Sequence, residues 1–163
     1  MAKKSAGIIL CRKKNNILEI MLVHPGGPFW AKKDVGVWSI PKGEFDEEED
    51  ALTAAKREFE EELGGKVLSE KFIELAPVKS KSGKIVHAFM TIEDFDTTNI
   101  KSNLCWIDWP PRSGKKIEIP EVDKAEWFDV ETAKKKIIGY QLPLIEELVK
   151  MSDLTMSDIS FEP

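Results

Sequence analysis

The sequence predicts an α/β protein of the α+β type, in which helices pack on the faces of a mixed β-sheet. The prediction rests first on element order, because short segments rich in β-branched residues give the order β-β-β-α-β-β-β-α-α. It rests second on what this order lacks, since a doubly wound parallel sheet needs strands and helices that alternate throughout. The length of 163 residues suits a single domain, 1–163, with one substantial core.

Three strands are expected before the first helix. Ser5–Arg12 and Leu18–His24 are predicted to form a hairpin around a turn at 13–16. A third, short strand is expected at Val37–Ile40, where Pro41 ends it.

The second half of the chain is predicted to hold three more strands and two helices. The expected strands are Val67–Val78, Lys84–Ile92 and Glu126–Phe128, with a long polar loop before the last of them. The expected helices are Val130–Ile138 and Leu142–Met151. The acidic residues that follow, 152–163, are expected to form a loose tail.

Charge and hydropathy exclude several classes of protein. With 29 acidic and 24 basic residues, the net charge is −5, so the chain lacks the basic stripe that polymeric nucleic acid requires. No apolar run approaches the roughly 20 residues of a membrane span. The apolar run Gly7–Leu10 is too short for a signal-peptide core, so a cytoplasmic protein is expected. Cys11 and Cys105 form no CxxC motif, which argues against a zinc site or a disulfide framework.

The clearest helix is expected to begin near Glu48 or Glu49 and to end at Gly64-Gly65. Acidic residues in its first turn would suit the helix dipole. At about 100° per residue, one narrow stripe of the helix is apolar and is predicted to face the core. This stripe consists of Leu52, Ala55, Phe59 and Leu63.

Three glutamates on this helix are candidates for metal binding. Glu58, Glu61 and Glu62 have the i, i+3, i+4 spacing that places side chains on one face, beside the core stripe. Carboxylates so close together repel one another, and a hard cation such as Mg²⁺ would reverse that interaction. The spacing therefore suits a metal site that a phosphorylated ligand completes.

The segment around these glutamates resembles the Nudix box, G-x5-E-x7-R-E-U-x-E-E-x-G-U, where U is a bulky aliphatic residue. Phe59 and Gly65 depart from the two U positions, and Val67 is expected to take the place of the second in the core. The fixed positions are matched in register by Gly43, Glu49, Arg57, Glu58, Glu61, Glu62 and Gly64.

The resemblance implies the Nudix fold and a metal-dependent hydrolase that cleaves a phosphoanhydride bond. It implies that Glu58, Glu61 and Glu62 bind Mg²⁺, for which Mn²⁺ could substitute, and that the backbone carbonyl of Gly43 adds a ligand. It also implies that Glu49 and Arg57 pair to hold the loop and the helix together. Bound metal ions would lower the pKa of a water molecule and clamp the phosphate oxygens.

The resemblance further implies an acidic residue from a later loop. In family members this residue lies a few positions before a tryptophan near the last strand, and here Trp127 follows Glu118 and Glu121. Glu121 is the first choice and Glu118 the alternative. Either Glu61 or Glu121 is expected to be the general base, and the sequence does not decide between them.

Residues outside the box bear on the substrate. The segment that contains Trp38 and Lys42 resembles the W-x-x-P-K-G lead-in of Nudix enzymes that act on diadenosine polyphosphates or diphosphoinositol polyphosphates. Both residues are therefore substrate-binding candidates. Arg112 and Lys115 lie in a basic, glycine-containing loop flanked by tryptophans, and they could bind distal phosphates.

The favoured substrate is a small, nucleotide-like molecule that contains a nucleoside diphosphate, with dinucleoside polyphosphates first and nucleoside triphosphates next. Two alternatives remain open: a non-catalytic Nudix scaffold that binds a nucleotide and acts through a partner, and a purely structural acidic domain. The scaffold would be expected to have lost box carboxylates, which this chain retains. A homodimer is compatible with the family, although no residue specifies one.

Overall fold

The computed structural model describes residues 3–158, which form nine strands and three α-helices. The strands are β1 (Lys4–Lys14), β2 (Ile17–Pro25), β3 (Lys42–Phe45), β4 (Ile73–Glu74), β5 (Val78–Lys79), β6 (Ile85–Ile92), β7 (Leu104–Asp108), β8 (Lys116–Pro120) and β9 (Val122–Asp129). The helices are α1 (Ala51–Leu63), α2 (Val130–Lys136) and α3 (Leu142–Asp158), and a 3₁₀ turn, Gly139–Gln141, precedes α3.

The first hairpin, β1–β2, is present as the sequence predicts. Lys14 pairs with Ile17, so only Asn15 and Asn16 form the loop. Both asparagines have positive φ, 53° and 64°. Two central residues with positive φ characterise the type I′ turn, whose twist matches that of the flanking strands.

A mixed seven-stranded sheet is built around this hairpin. Its main order is β4-β6-β1-β2-β9, while β3 also pairs with β1 and β5 with β6. β6 runs parallel to β1, and every other pairing in this sheet is antiparallel. β7 and β8 form a separate two-stranded sheet.

Alternate residues of β1 and β2 separate two hydrophobic clusters, one on each face of the sheet. The first contains Ile9, Ile20 and Leu22, with Leu144 and Leu148 of α3. The second packs the opposite side of the same strands against α1, through Ile8, Leu10, Ala55, Phe59 and Leu63. The predicted architecture, a mixed sheet with helices on both faces, is therefore confirmed.

The helix α1 begins later than predicted. Asp50 is its N-cap, and the Asp50 side chain accepts a hydrogen bond from the Thr53 amide at 3.1 Å. Glu48 and Glu49 therefore precede the helix and do not lie in its first turn. The C-terminal prediction is confirmed, because Gly64 caps the helix in the left-handed conformation with φ 77°.

Three further predictions about the elements are wrong. The strand expected at Val37–Ile40 is reduced to isolated bridges at Trp38 and Ser39, because the β1 edge pairs instead with β3. The long strand expected at Val67–Val78 contains only β4 and the first residue of β5. The long polar loop that was expected before the last strand contains the β7–β8 hairpin.

The C-terminal helix is longer than predicted. It continues through residue 158, although the sequence prediction ended it at Met151 and treated 152–163 as a loose tail. Residues 159–163 lie outside the described part of the chain. Over the described residues, no helix has the length and apolar character needed to cross a membrane.

Candidate active site

The active-site candidates begin with two glutamates of α1. Glu58 and Glu62 lie one turn apart and are 7% and 5% exposed. They face β3, where the Lys42 amide donates to Glu62 Oε1 at 3.3 Å. Carboxylates are rarely buried to this extent unless they are paired or bind a cation.

Gly43 lies directly against the Glu58 carboxylate. A Cβ atom at this position would fall 1.9 Å from Glu58 Oε2, which is far inside van der Waals contact. Only glycine therefore lets the β3 backbone approach Glu58 this closely. The structure thus brings the first glycine of the box next to the first glutamate of its REUxEE segment.

Arg57 holds the glutamates from the other side. Its Nε and Nη2 donate to the two carboxylate oxygens of Glu49, both at 2.9 Å, which is the pairing that the resemblance implies. Its Nη1 also donates to Glu58 Oε1 at 2.8 Å and to Glu61 Oε1 at 3.2 Å. Arg57 therefore connects the loop before α1 with two of the three candidate metal ligands.

A cavity of about 210 Å³ lies beside this cluster and is lined by Lys42, Glu62 and Glu121, among others. Burial, followed by the nearby charges of Glu121 and Glu58, raises the pKa of Glu62 to about 8. Burial is also the main cause of the raised pKa of Glu58, to which the charge of Glu121 contributes. Three carboxylates are thus close enough to disfavour one another's ionisation.

The lining of this cavity distinguishes Glu121 from Glu118, the two candidates for the acidic residue outside the box. Glu121 lies between β8 and β9, where its backbone oxygen accepts from the Gly26 amide and its amide donates to the Asn103 oxygen, both at 3.0 Å. Both side chains are exposed, but Glu118 lies opposite Trp106 on β8 and does not line the cavity beside Glu62, whereas Glu121 does. The structure therefore brings Glu121, the first choice, toward the box glutamates.

The candidate ligands, Glu58, Glu61, Glu62 and the carbonyl of Gly43, suit a hard divalent cation, but the three glutamate side chains do not converge on one point. Within residues 3–158, no three Asp, Glu, His or Cys side chains converge as a metal-binding group. The ion pairs to Arg57 explain this, because they draw Glu58 and Glu61 toward the guanidinium group. All the candidate ligands are oxygen donors, which Mg²⁺ prefers, and the backbone of Gly43 lies directly against the Glu58 carboxylate.

Trp38 is not available to a substrate, and this prediction is corrected. Its side chain is 1% exposed, its Nε1 donates to Asp34 Oδ1 at 2.8 Å, and its ring packs edge-on against Phe128. Trp38 is a core residue because it bridges Ile137, while its neighbour Ser39 bridges Val23 of β2. Lys42, the other residue of the lead-in, does line the cavity beside Glu62.

Arg112 and Lys115 lie on the exposed turn between β7 and β8, where Arg112 has a positive φ of 62°. Neither lines the cavity beside Glu62. Their role in substrate binding stays a prediction.

The buried His24 has a role that the sequence did not reveal. Its Nδ1 lies 2.8 Å from Asp123 Oδ1, and its Nε2 lies 2.6 Å from the Lys33 oxygen. His24 thereby fixes the segment after β2 against β9. No sequence signal could have identified this network, because Asp123 is 99 residues away.

A larger cavity, about 470 Å³, lies on the far side of Arg57 and is lined by Lys4, Phe45, Asp46 and Glu49. It contains none of the buried carboxylates. The smaller cavity beside Glu62 is the better candidate for chemistry, because it combines a buried carboxylate with Glu121 and a lysine.

Comparison with known proteins agrees with this geometry. A family model described as NUDIX domain matches residues 1–148. No significant match is found among the curated proteins.

Solved structures share the fold at low sequence identity. The NUDIX domain of Shewanella oneidensis NrtR, in complex with ADP ribose, is 16% identical with a TM-score of 0.63, and the match covers 93% of this chain and 88% of that one. A C. elegans Ap4A hydrolase binary complex is 21% identical with a TM-score of 0.63, covering 96% and 99%. A mutT/nudix family protein from Listeria innocua is 20% identical with a TM-score of 0.61, covering 94% and 96%.

The family model spans most of the chain, and the solved structures share its fold. The chain therefore belongs to the Nudix family.

Proposed function

We propose that the protein is a Mg²⁺-dependent enzyme that hydrolyses a phosphoanhydride bond in a nucleoside diphosphate-linked substrate. One observation carries the proposal: Glu62 and Glu121 line one cavity together with Lys42, and the buried Glu58 lies one helical turn from Glu62. Glu58 and Glu62 are buried, and buried carboxylates are costly unless a cation or a proton offsets their charge. A divalent cation supplies that charge, and when bound it activates water and stabilises charge on phosphate oxygens.

The roles of the residues follow from their positions. Glu58, Glu61 and Glu62, with the carbonyl of Gly43, would hold the metal. Glu49 and Arg57 would keep the loop and helix in register, as their two hydrogen bonds support.

Glu121 reaches the cavity from outside the box, so it can accept a proton from the attacking water, and Glu61 is the alternative base. Lys42 would bind a substrate phosphate through its ammonium group.

Dinucleoside polyphosphates are the favoured substrates, followed by nucleoside triphosphates. The W-x-x-P-K-G lead-in and the structural likeness to a C. elegans Ap4A hydrolase support this order. The Shewanella NrtR domain binds ADP ribose, which also contains a nucleoside diphosphate. These likenesses support the class of substrate and favour no single member of it.

The proposal is tested by hydrolysis assays with and without Mg²⁺, using dinucleoside polyphosphates, nucleoside triphosphates, nucleotide sugars and diphosphoinositol phosphates. Glu61→Gln and Glu62→Gln should each remove most of the activity. Glu60→Gln is the matched control, because Glu60 lies on the same helix, is exposed and makes no side-chain contact with the cluster. Wild-type protein that hydrolyses none of these compounds, or glutamine variants as active as Glu60→Gln, would refute the proposal.

Nucleotide binding without turnover would instead support the non-catalytic scaffold. Nucleotide binding to the Glu60→Gln and Glu62→Gln variants, measured by calorimetry with and without Mg²⁺, separates the two outcomes. A scaffold that does not need the metal would bind nucleotide equally well in both variants.

A further inference from the structure

A second cavity, about 260 Å³, lies next to the candidate active site, between the segment after β2 and the β7–β8 hairpin. The two cavities share a wall. Pro25 and Glu121 line the cavity beside Glu62, while the adjacent Gly26 and the nearby Ile119 line the second one.

Close backbone packing holds this shared wall together. The Gly26 amide donates to the Glu121 oxygen at 3.0 Å. A Cβ atom at Gly26 would lie 2.0 Å from the Pro120 oxygen, so no other residue permits this contact. This packing fixes the distance between the two cavities, so a single ligand could occupy both.

Aromatic and aliphatic side chains line the second cavity. Phe29 and Trp30 supply one side, with ring centroids 4.7 Å apart, and Phe29 is 48% exposed. Trp109, Ile107 and Ile119 of the hairpin supply the other side. Since aromatic rings stack on planar ligands, this lining suits a flat, unsaturated ring.

Charge around the cavity suits a ring that carries phosphates. Lys33 Nζ lies 3.7 Å from the centroid of Phe29, and Arg112 and Lys115 lie on the turn of the hairpin. Asp108 is the one acidic residue of the lining, and its Oδ1 is 2.5 Å from Lys116 Nζ.

We propose that this aromatic cavity binds the nucleobase of the substrate while the adjacent acidic cavity holds its phosphoanhydride. The proposal rests on the proposed function and adds the residues that recognise the base. Phe29, Trp30 and Trp109 stack on the ring. Because the rings recognise the base by stacking, the larger purine rings should bind more tightly than uracil.

The proposal can be tested without metal and without turnover. In wild-type protein labelled with ¹⁵N, the indole N–H signals report on each tryptophan separately during titration with adenosine, guanosine, uridine or ribose. Trp106 is the internal control, because it is 65% exposed on the same hairpin and, by strand alternation, points away from Ile107.

Adenosine and guanosine should shift the signals of Trp30 and Trp109, leave that of Trp106 in place and bind more tightly than uridine. Ribose should shift none of them. Phe29→Ala should weaken adenosine binding by about tenfold, as loss of one stacking ring does. This variant removes an exposed loop side chain, so it leaves the hairpin intact.

The proposal is overturned if ribose shifts the same signals, if Trp106 responds as strongly as Trp109, or if Phe29→Ala binds adenosine like the wild type. None of these results bears on the hydrolase proposal, because the probes contain no phosphoanhydride. Conversely, a protein that binds adenosine at Trp109 but hydrolyses nothing would leave this site standing.

Discussion

The segment Gly43–Gly64 and the β7–β8 hairpin lie on either side of the candidate active site, and they are built in different ways. The first is anchored in the core: Phe59 and Leu63 are at most 1% exposed, and Arg57 makes hydrogen bonds to three glutamates. The hairpin has only two strands and leaves Leu104 and Trp106 more than half exposed. A two-stranded sheet has little stability of its own in water.

This contrast indicates that the two regions contribute to different steps, catalysis and substrate recognition. Chemistry at phosphorus requires ligands held within a fraction of an ångström, which suits a buried helix packed on a sheet. Recognition of a base tolerates more adjustment, which suits side chains on a loop and a peripheral hairpin. Changes in the Gly43–Gly64 segment should therefore affect turnover, while changes near the hairpin should affect substrate binding.

The largest effect is expected from Gly43→Ala. The added methyl group would overlap the Glu58 carboxylate and displace it. Displacing a ligand should lower kcat by about 100-fold, at the upper end of effects on residues that support a metal site. Gly139→Ala is the matched control, since a Cβ there would meet nothing within 4 Å. If both variants keep wild-type kcat, Glu58 is not held by this close approach.

A smaller loss of turnover is expected from Arg57→Lys. Lysine keeps the positive charge but cannot donate to both Glu49 oxygens and to Glu58 at once. The expected result is a roughly tenfold lower kcat with weaker Mg²⁺ binding. Calorimetric titration with Mg²⁺ and steady-state kinetics check it. A variant with normal Mg²⁺ affinity would mean that Arg57 does not position the ligands.

The same contrast explains what could be predicted from the sequence. The Gly43–Gly64 segment was predicted in detail because its contacts are local: Arg57 reaches Glu49 eight residues away, and α1 follows a regular helical period. The β7–β8 hairpin was predicted as part of a long polar loop because the register of β7 with β8 depends on cross-strand pairs rather than on a strong local pattern. Trp38 was misassigned because a motif cannot tell which side of the sheet its ring will face.

Loosening the segment after β2 should impair binding more than turnover. His24→Ala removes both hydrogen bonds that hold this segment, to Asp123 and to the Lys33 oxygen, and leaves a buried void. We expect a loss of about 1–3 kcal/mol in the free energy of unfolding and a KM that rises several-fold while kcat changes little. Trypsin cleavage after the exposed Lys32 and Lys33 should become faster. Unchanged KM together with faster cleavage would show that the segment does not contribute to substrate binding.

The reactivity of the two cysteine thiols can be used to compare the rigidity of the sheet with that of the β7–β8 hairpin. Cys11 is fully buried in the sheet, and burial raises the pKa of its thiol to about 12, from an ordinary value of 9.0. Cys105 lies on β7 and is partly exposed, and its pKa is also raised, mainly by burial and then by the charge of Glu121. The thiolate is the reactive form, so both should react more slowly at pH 8 than a free thiol.

In the folded protein, a disulfide reagent should label Cys105 first, by local opening of the hairpin, at a rate that low urea concentrations do not change. Cys11 should react only through global unfolding, so its rate should rise with urea. Its raised pKa also means that its contribution to stability is complete below pH 9 and is lost as the pH rises toward 12. If both thiols react at one rate with the same dependence on urea, the hairpin opens only with the sheet, and the proposed difference in rigidity is wrong.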